Sequence, residues 1–160
     1  QMDRFLMHVY VDYPDEAAEA QIIRLVRGEE QPANAQDASA PIRQDVVFDA
    51  REEIHNISVS EVIEKYMVDL VFATRYPERY DEQLAAWIHV GVSPRGGIAL
   101  DKCARVNAWL DGRSQVLPDD VRAVVHGIFR HRLKLGYEAS AEGISANDVI
   151  DEILRQVAVA

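Results

Sequence analysis

The stretch that most restricts this fold is RFLMHVYVDYPDE, Arg4 to Glu16. Phe5 to Val11 is almost continuously apolar, rich in aromatic and β-branched residues, and Pro14 comes soon after it. A run of this kind, without polar alternation, reads as a strand buried on both faces. Such a strand needs neighbouring strands, and the rest of the chain offers almost none. The mismatch predicts that its sheet lies upstream of this sequence. It also predicts that the segment is disordered, displaced or paired with another molecule here, since an uncovered apolar edge invites association.

Beyond this stretch the chain is written in helical period. Pro14, Asp15 and Glu16 start a helix with acids in the first turn, where the helix dipole favours them. Ala18, Ile22, Leu25 and Val26 form its apolar stripe, and Gly28 ends it. GEEQPANAQDASAPI has no periodicity and reads as a mobile linker. The expected division is therefore 1–29, linker 30–44, and 45–160. Val47, Ala50, Ile54 and Ile57 suggest a short helix, and Ser58 with Glu61 fits a capping box. Val59, Val62, Ile63, Tyr66, Met67, Leu70 and Val71 carry the next helix to Thr74 or Arg75. RYPERYDEQ reads as a loop and Ile88 to Val92 as a short extended piece.

Ser93 onward is helical again, with Ala99, Cys103, Val106 and Leu110 on one face and Gly112 as the stop. Pro118 begins another helix, faced by Val121, Val124, Val125, Ile128, Phe129 and Leu133. Ser145 with Asp148 caps the last, whose stripe is Val149, Ile150, Ile153, Leu154 and Val157. The fold class is mainly α, with about four helices bundled in the C-terminal half.

Composition excludes some functions. The net charge of −10 opposes general nucleic-acid binding, which needs a basic surface. No apolar run is long enough to insert in a membrane. Cys103 is the single cysteine, which precludes an internal disulfide and fits a reducing, cytoplasmic setting. It sits on an apolar face as a small hydrophobe. The five histidines are scattered, without HExxH or a cysteine pair, so structural roles outweigh metal binding. RHRLK, Arg130 to Lys134, reads as a cationic helix end that complements the dipole. GxxxxGK[ST] is absent, so the chain lacks a phosphate-cradling P-loop.

One short stretch breaks the bland pattern. In GVSPRGG, Gly91 to Gly97, Ser93 is a favoured N-cap and Pro94 suits the first helical position. Arg95 then puts a cation where the macrodipole disfavours it by about 0.3–1 kcal/mol. It is either an ordinary surface residue or a group that awaits an anion. Helix N-termini bind phosphate through free N–H groups, and an arginine there would act on the same anion. Gly91, Gly96 and Gly97 are expected to keep the approach uncrowded.

QMDRFLMHVYVDYPDE, GVSPRGGIAL, VLPDDVRAV and FRHRL, in this order and spacing, resemble the C-terminal part of a MoxR-family AAA+ ATPase, over nearly the whole chain. The resemblance implies that Phe5–Val11 is the last strand of the αβα ATPase core and that the helices after the linker form the lid. The family's sensor 2 motif is SPR, usually followed by Ala. Ser93, Pro94 and Arg95 match it as nucleotide-binding residues, with Arg95 the sensor 2 arginine, and Gly96 departs from the Ala. Arg4, in DRF, matches the position resembling the arginine finger.

The resemblance further implies ATP and Mg2+ as cofactors of the whole protein, with Walker A and B upstream and none tightly held by this segment alone. Arg95 would contact the γ-phosphate within its own subunit, and Arg4 that of the adjacent subunit. Ring oligomers, commonly hexamers, and chaperone-like action with von Willebrand factor A domain partners are implied as well. By this reading the segment alone does not hydrolyse ATP. The alternative is a non-catalytic helical interaction module with no nucleotide role.

Overall fold

The computed structural model describes residues 1–29 and 41–159. These divide into two compact units, one of residues 1–9 with 49–160, the other within residues 10–48. The expected division into 1–29, 30–44 and 45–160 thus differs at its start, because residues 1–9 pack with the C-terminal helices. The expected linker falls, as far as residue 40, outside the described residues.

Within residues 10–48 lie α1 (Glu16–Glu29) and the start of α2 (Gln44–His55). The predicted α1 stripe is present but not covered: Ile22, Leu25 and Val26 are all exposed.

The helical unit follows most of the apolar periodicity, but the predicted stripe residues Val62 and Leu110 are exposed, and Leu133 lies past the end of its predicted helix. Its main elements are α3 (Glu61–Arg75), α5 (Pro94–Leu110), α6 (Pro118–Phe129) and α8 (Ala146–Gln156), with α4 (Glu82–Trp87) and α7 (Tyr137–Ala141) as short connectors. Leu70, Leu100, Val121, Ile128, Phe129, Val149 and Ile150 are all at 0% exposure and meet in one core. Each such side chain contributes about 1.5–3 kcal/mol relative to exposure. A small antiparallel ladder closes one end, β1 (Ile88–Val90) on β2 (Lys134–Leu135), with Ile88 opposite Leu135.

Local signals fare unevenly. Ser145 caps α8, with Asp148 reaching back to the Ser145 N–H at 2.8 Å. Ser58 does not cap α3. Its N–H donates to Ser114 O and its carbonyl accepts from Val116, at 2.9 and 3.0 Å, which holds it extended. Ser60 is the cap instead. The expected loop RYPERYDEQ contains the start of α4, where Asp81 Oδ1 accepts the N–H groups of Gln83 and Leu84 at 2.7 and 3.0 Å.

The predicted strand does not form. Residues 5–11 have no strand partner among the described residues, and all are exposed. A helix satisfies its backbone hydrogen bonds internally, whereas a strand needs another strand beside it. Among the described residues, no helix is long and apolar enough to cross a membrane.

Candidate functional site

The start of α5 is held from behind by α3. The buried Thr74 hydroxyl accepts the Val92 N–H at 2.9 Å, and Arg75 Nε donates to Val92 O at 2.7 Å. Gly91 makes this approach feasible: a Cβ there would stand 2.3 Å from Thr74 O. The chain leaves this clamp directly into Ser93, whose Oγ accepts the Arg95 N–H at 3.2 Å. Pro94 fills the first helical position, and Arg95 comes next with its side chain 67% exposed.

The expectation that the glycines keep a phosphate approach open is corrected for Gly91 and Gly96, whereas a Cβ on Gly97 would make only ordinary contact, 3.6 Å from Val71 Cγ2. A Cβ on Gly96 would lie 2.1 Å from Val92 Cγ1 and 3.2 Å from Arg132 Cδ. Gly91 and Gly96 are small because protein packs against them, not because a ligand must pass.

α5 has no acid in its own first turn. One arrives from far away in sequence. The Ser93 hydroxyl donates to Asp3 Oδ1 at 2.8 Å, and Arg95 Nη1 lies 3.5 Å from Asp3 Oδ2. Asp3 sits in a short 3-10 turn, Met2–Arg4. Its carboxyl is held below the usual aspartate range, first by the Ser93 hydrogen bond and then by the charges of Arg132 and Arg95. A carboxylate thus stands at this helix N-terminus, next to a hydroxyl and a guanidinium. It offsets the unfavourable placement of Arg95.

Arg132 ties this turn to the helices. Predicted as part of a cationic helix end, it instead lies beyond α6, which stops at Phe129, and its side chain is only 2% exposed. Nη2 donates to Asp3 O at 3.1 Å and also to Phe5 O. Nη1 donates to Leu6 O at 3.3 Å and also to Ile128 O. Nε faces Asp3 Oδ1 at 3.4 Å. Burial lowers the Arg132 pKa from its usual value, and the Asp3 charge opposes that shift.

The predicted residues Arg4 and Arg95 come together with Gln1 and Asp3 around one open cleft of about 320 Å3. Asp3 and Arg132 escaped the sequence reading. Asp3 lies 90 residues from Ser93, and no local spacing announces such a pair.

Residues 84–153 match the family model of the AAA lid domain, which defines the class of the helical unit. The chain is 36% identical to Chaperone MoxR1 of Mycobacterium tuberculosis over 160 residues, covering 99% of this chain and 41% of that protein. It is 32% identical to Protein MoxR of Methylorubrum extorquens over 143 residues, covering 83% and 41%. The crystal structure of a candidate ATPase from Cytophaga hutchinsonii superposes with a TM-score of 0.87 at 37% identity, covering 99% of this chain and 47% of that one. Over this length the chain thus combines an AAA lid domain match with likeness to MoxR-named proteins across nearly all of its residues. It spans less than half the length of these relatives.

Proposed function

We propose that this segment is the nucleotide-responsive lid of a MoxR-type AAA+ ATPase. One observation carries the reading. The capped start of α5, with Arg95 beside it, holds the carboxylate of Asp3, a built-in anion where a phosphate would be received. Guanidinium groups and helix N–H donors suit phosphate oxygens.

In the complete protein, with ATP between core and lid, Arg95 would bind the γ-phosphate of its own subunit, and that phosphate would take the place the Asp3 carboxylate now fills. Arg4, exposed in the same 3-10 turn as Asp3, would reach the nucleotide of an adjacent subunit in a ring, commonly a hexamer. Both cations would stabilise the charge that develops as the phosphoryl group is transferred to water. Among the described residues, no group of three or more His, Cys, Asp or Glu side chains could hold a metal. Mg2+ and the phosphate cradle would belong to the ATPase core with which this lid works. Chaperone-like action on partner proteins accords with the name of the mycobacterial relative, Chaperone MoxR1, and von Willebrand factor A domain proteins would be among those partners.

The test is Arg95→Ala in the ATPase that carries this segment. We expect slower hydrolysis, weaker ATP binding or both. Unchanged hydrolysis together with unchanged ATP affinity would refute the assignment.

A further inference from the structure

We infer that Arg132 is a positioning residue for Arg4, fixing the turn that presents this cation to the nucleotide. The inference rests on the reading of Arg4 as a nucleotide-directed cation. An exposed arginine acts on a phosphate only as well as its backbone is held. A misplacement of ~1 Å at such a site costs about 10²-fold in rate. Arg4 has no rigid element of its own. It ends a single 3-10 turn, and Phe5 after it is extended.

Arg132 supplies the missing rigidity. Its guanidinium bonds the carbonyls of Asp3 and Phe5, the residues on either side of Arg4, and that of Leu6 one step further. The same group bonds Ile128 O in the last turn of α6. Four carbonyls converge on one planar fork, which a single ammonium cannot reproduce. The stem passes beside Gly96, the residue after Arg95, where a Cβ would come within 3.2 Å of Arg132 Cδ. One buried side chain therefore ties the Arg4 turn to both α5 and α6. Around it, the His8 N–H donates to Gly127 O at 2.7 Å and His131 Nε2 lies 3.3 Å from Phe5 O.

The test measures ATP affinity and single-turnover hydrolysis in the ATPase that carries this segment, for the wild type, Arg4→Ala, Arg132→Lys and Gly127→Leu. Amide exchange at His8 and along α8 is monitored in each. Gly127→Leu leaves Arg132 intact and puts a good helix former into α6, but a Cβ there stands 2.9 Å from Met7 Cγ and pushes on the segment. We expect Arg132→Lys to lose about 10²-fold in kcat with ATP affinity little changed. We expect Gly127→Leu to lose kcat in the same manner but less. Both should expose the His8 amide while α8 stays protected. The inference is overturned if Arg132→Lys keeps full kcat where Arg4→Ala loses it, or if α8 opens together with His8. If Arg4→Ala itself has no effect while the His8 amide is released by Arg132→Lys, the reading of Arg4 fails and the docking of the turn stands.

Discussion

α5 and α6 begin alike and end up differently. Both open on a proline preceded by an extended residue. α6 carries its own acids, Asp119 and Asp120, in the first turn. Asp120 is 1% exposed, and both of its oxygens are taken. Oδ2 accepts from the Leu117 N–H at 2.7 Å and Arg113 Nη1 at 2.6 Å; Oδ1 accepts from Arg113 Nη2 at 2.6 Å and Asn107 Nδ2 at 2.8 Å. Arg113 first, then the Leu117 and Asn107 bonds, hold its pKa down to about 2. The acid at α5 comes from Asp3, 37% exposed, in a turn held to the helices by Arg132. A helix start that carries its own buried acid is closed. One that borrows an exposed acid can exchange it for another anion.

The largest expected effect is at the closed end. Asp120→Ala should lower stability by about 2 kcal/mol in urea unfolding, because buried donors lose their acceptor. Its pH dependence has a definite sign. The folded pKa lies below the unfolded one, so this stabilisation is present above about pH 4 and fades as pH falls toward about 2. Asp120→Asn should flatten acid unfolding across that window. At the open end, Asp3→Asn should cost about 1 kcal/mol, because its pair with Arg95 is exposed while buried Arg132 also loses a facing carboxylate. By removing the resident carboxylate it should also tighten binding of inorganic phosphate about fivefold, an effect of about 1 kcal/mol read by calorimetry. If Asp3→Asn destabilises as much as Asp120→Ala, the two helix starts do not differ as argued. The smallest effect is on folding by Arg95→Ala, within about 0.5 kcal/mol.

The residues that could be read in sequence were those whose partners are close in the chain. Ser145 with Asp148, Ser93 with Pro94, and the apolar face of α6 all satisfy local geometry, and each lies where its spacing predicts. Ser58 fits a capping box locally, but its backbone is taken by Ser114 and Val116, more than fifty residues on. Phe5–Val11 has the composition of a buried strand, yet composition supplies no neighbouring strand. α4 spans only six residues, too short for a helical period to stand out. Arg95 was legible because its charge opposes its own helix. Asp3, which offsets that charge, and Arg132, which anchors Asp3, were not, because only the tertiary fold brings them to α5.

The most direct test of the replaceable anion at α5 compares both helix starts in one experiment. Inorganic phosphate is titrated into the chain while the amide signals of Arg95, Gly96 and Gly97 and of Asp119, Asp120 and Val121 are tracked by NMR. The prediction is saturable movement of the α5 amides, enhanced by Asp3→Asn and abolished by Arg95→Ala, with the α6 amides still. Phosphate that leaves the α5 amides unmoved even in Asp3→Asn, or that moves both sets alike, would contradict it.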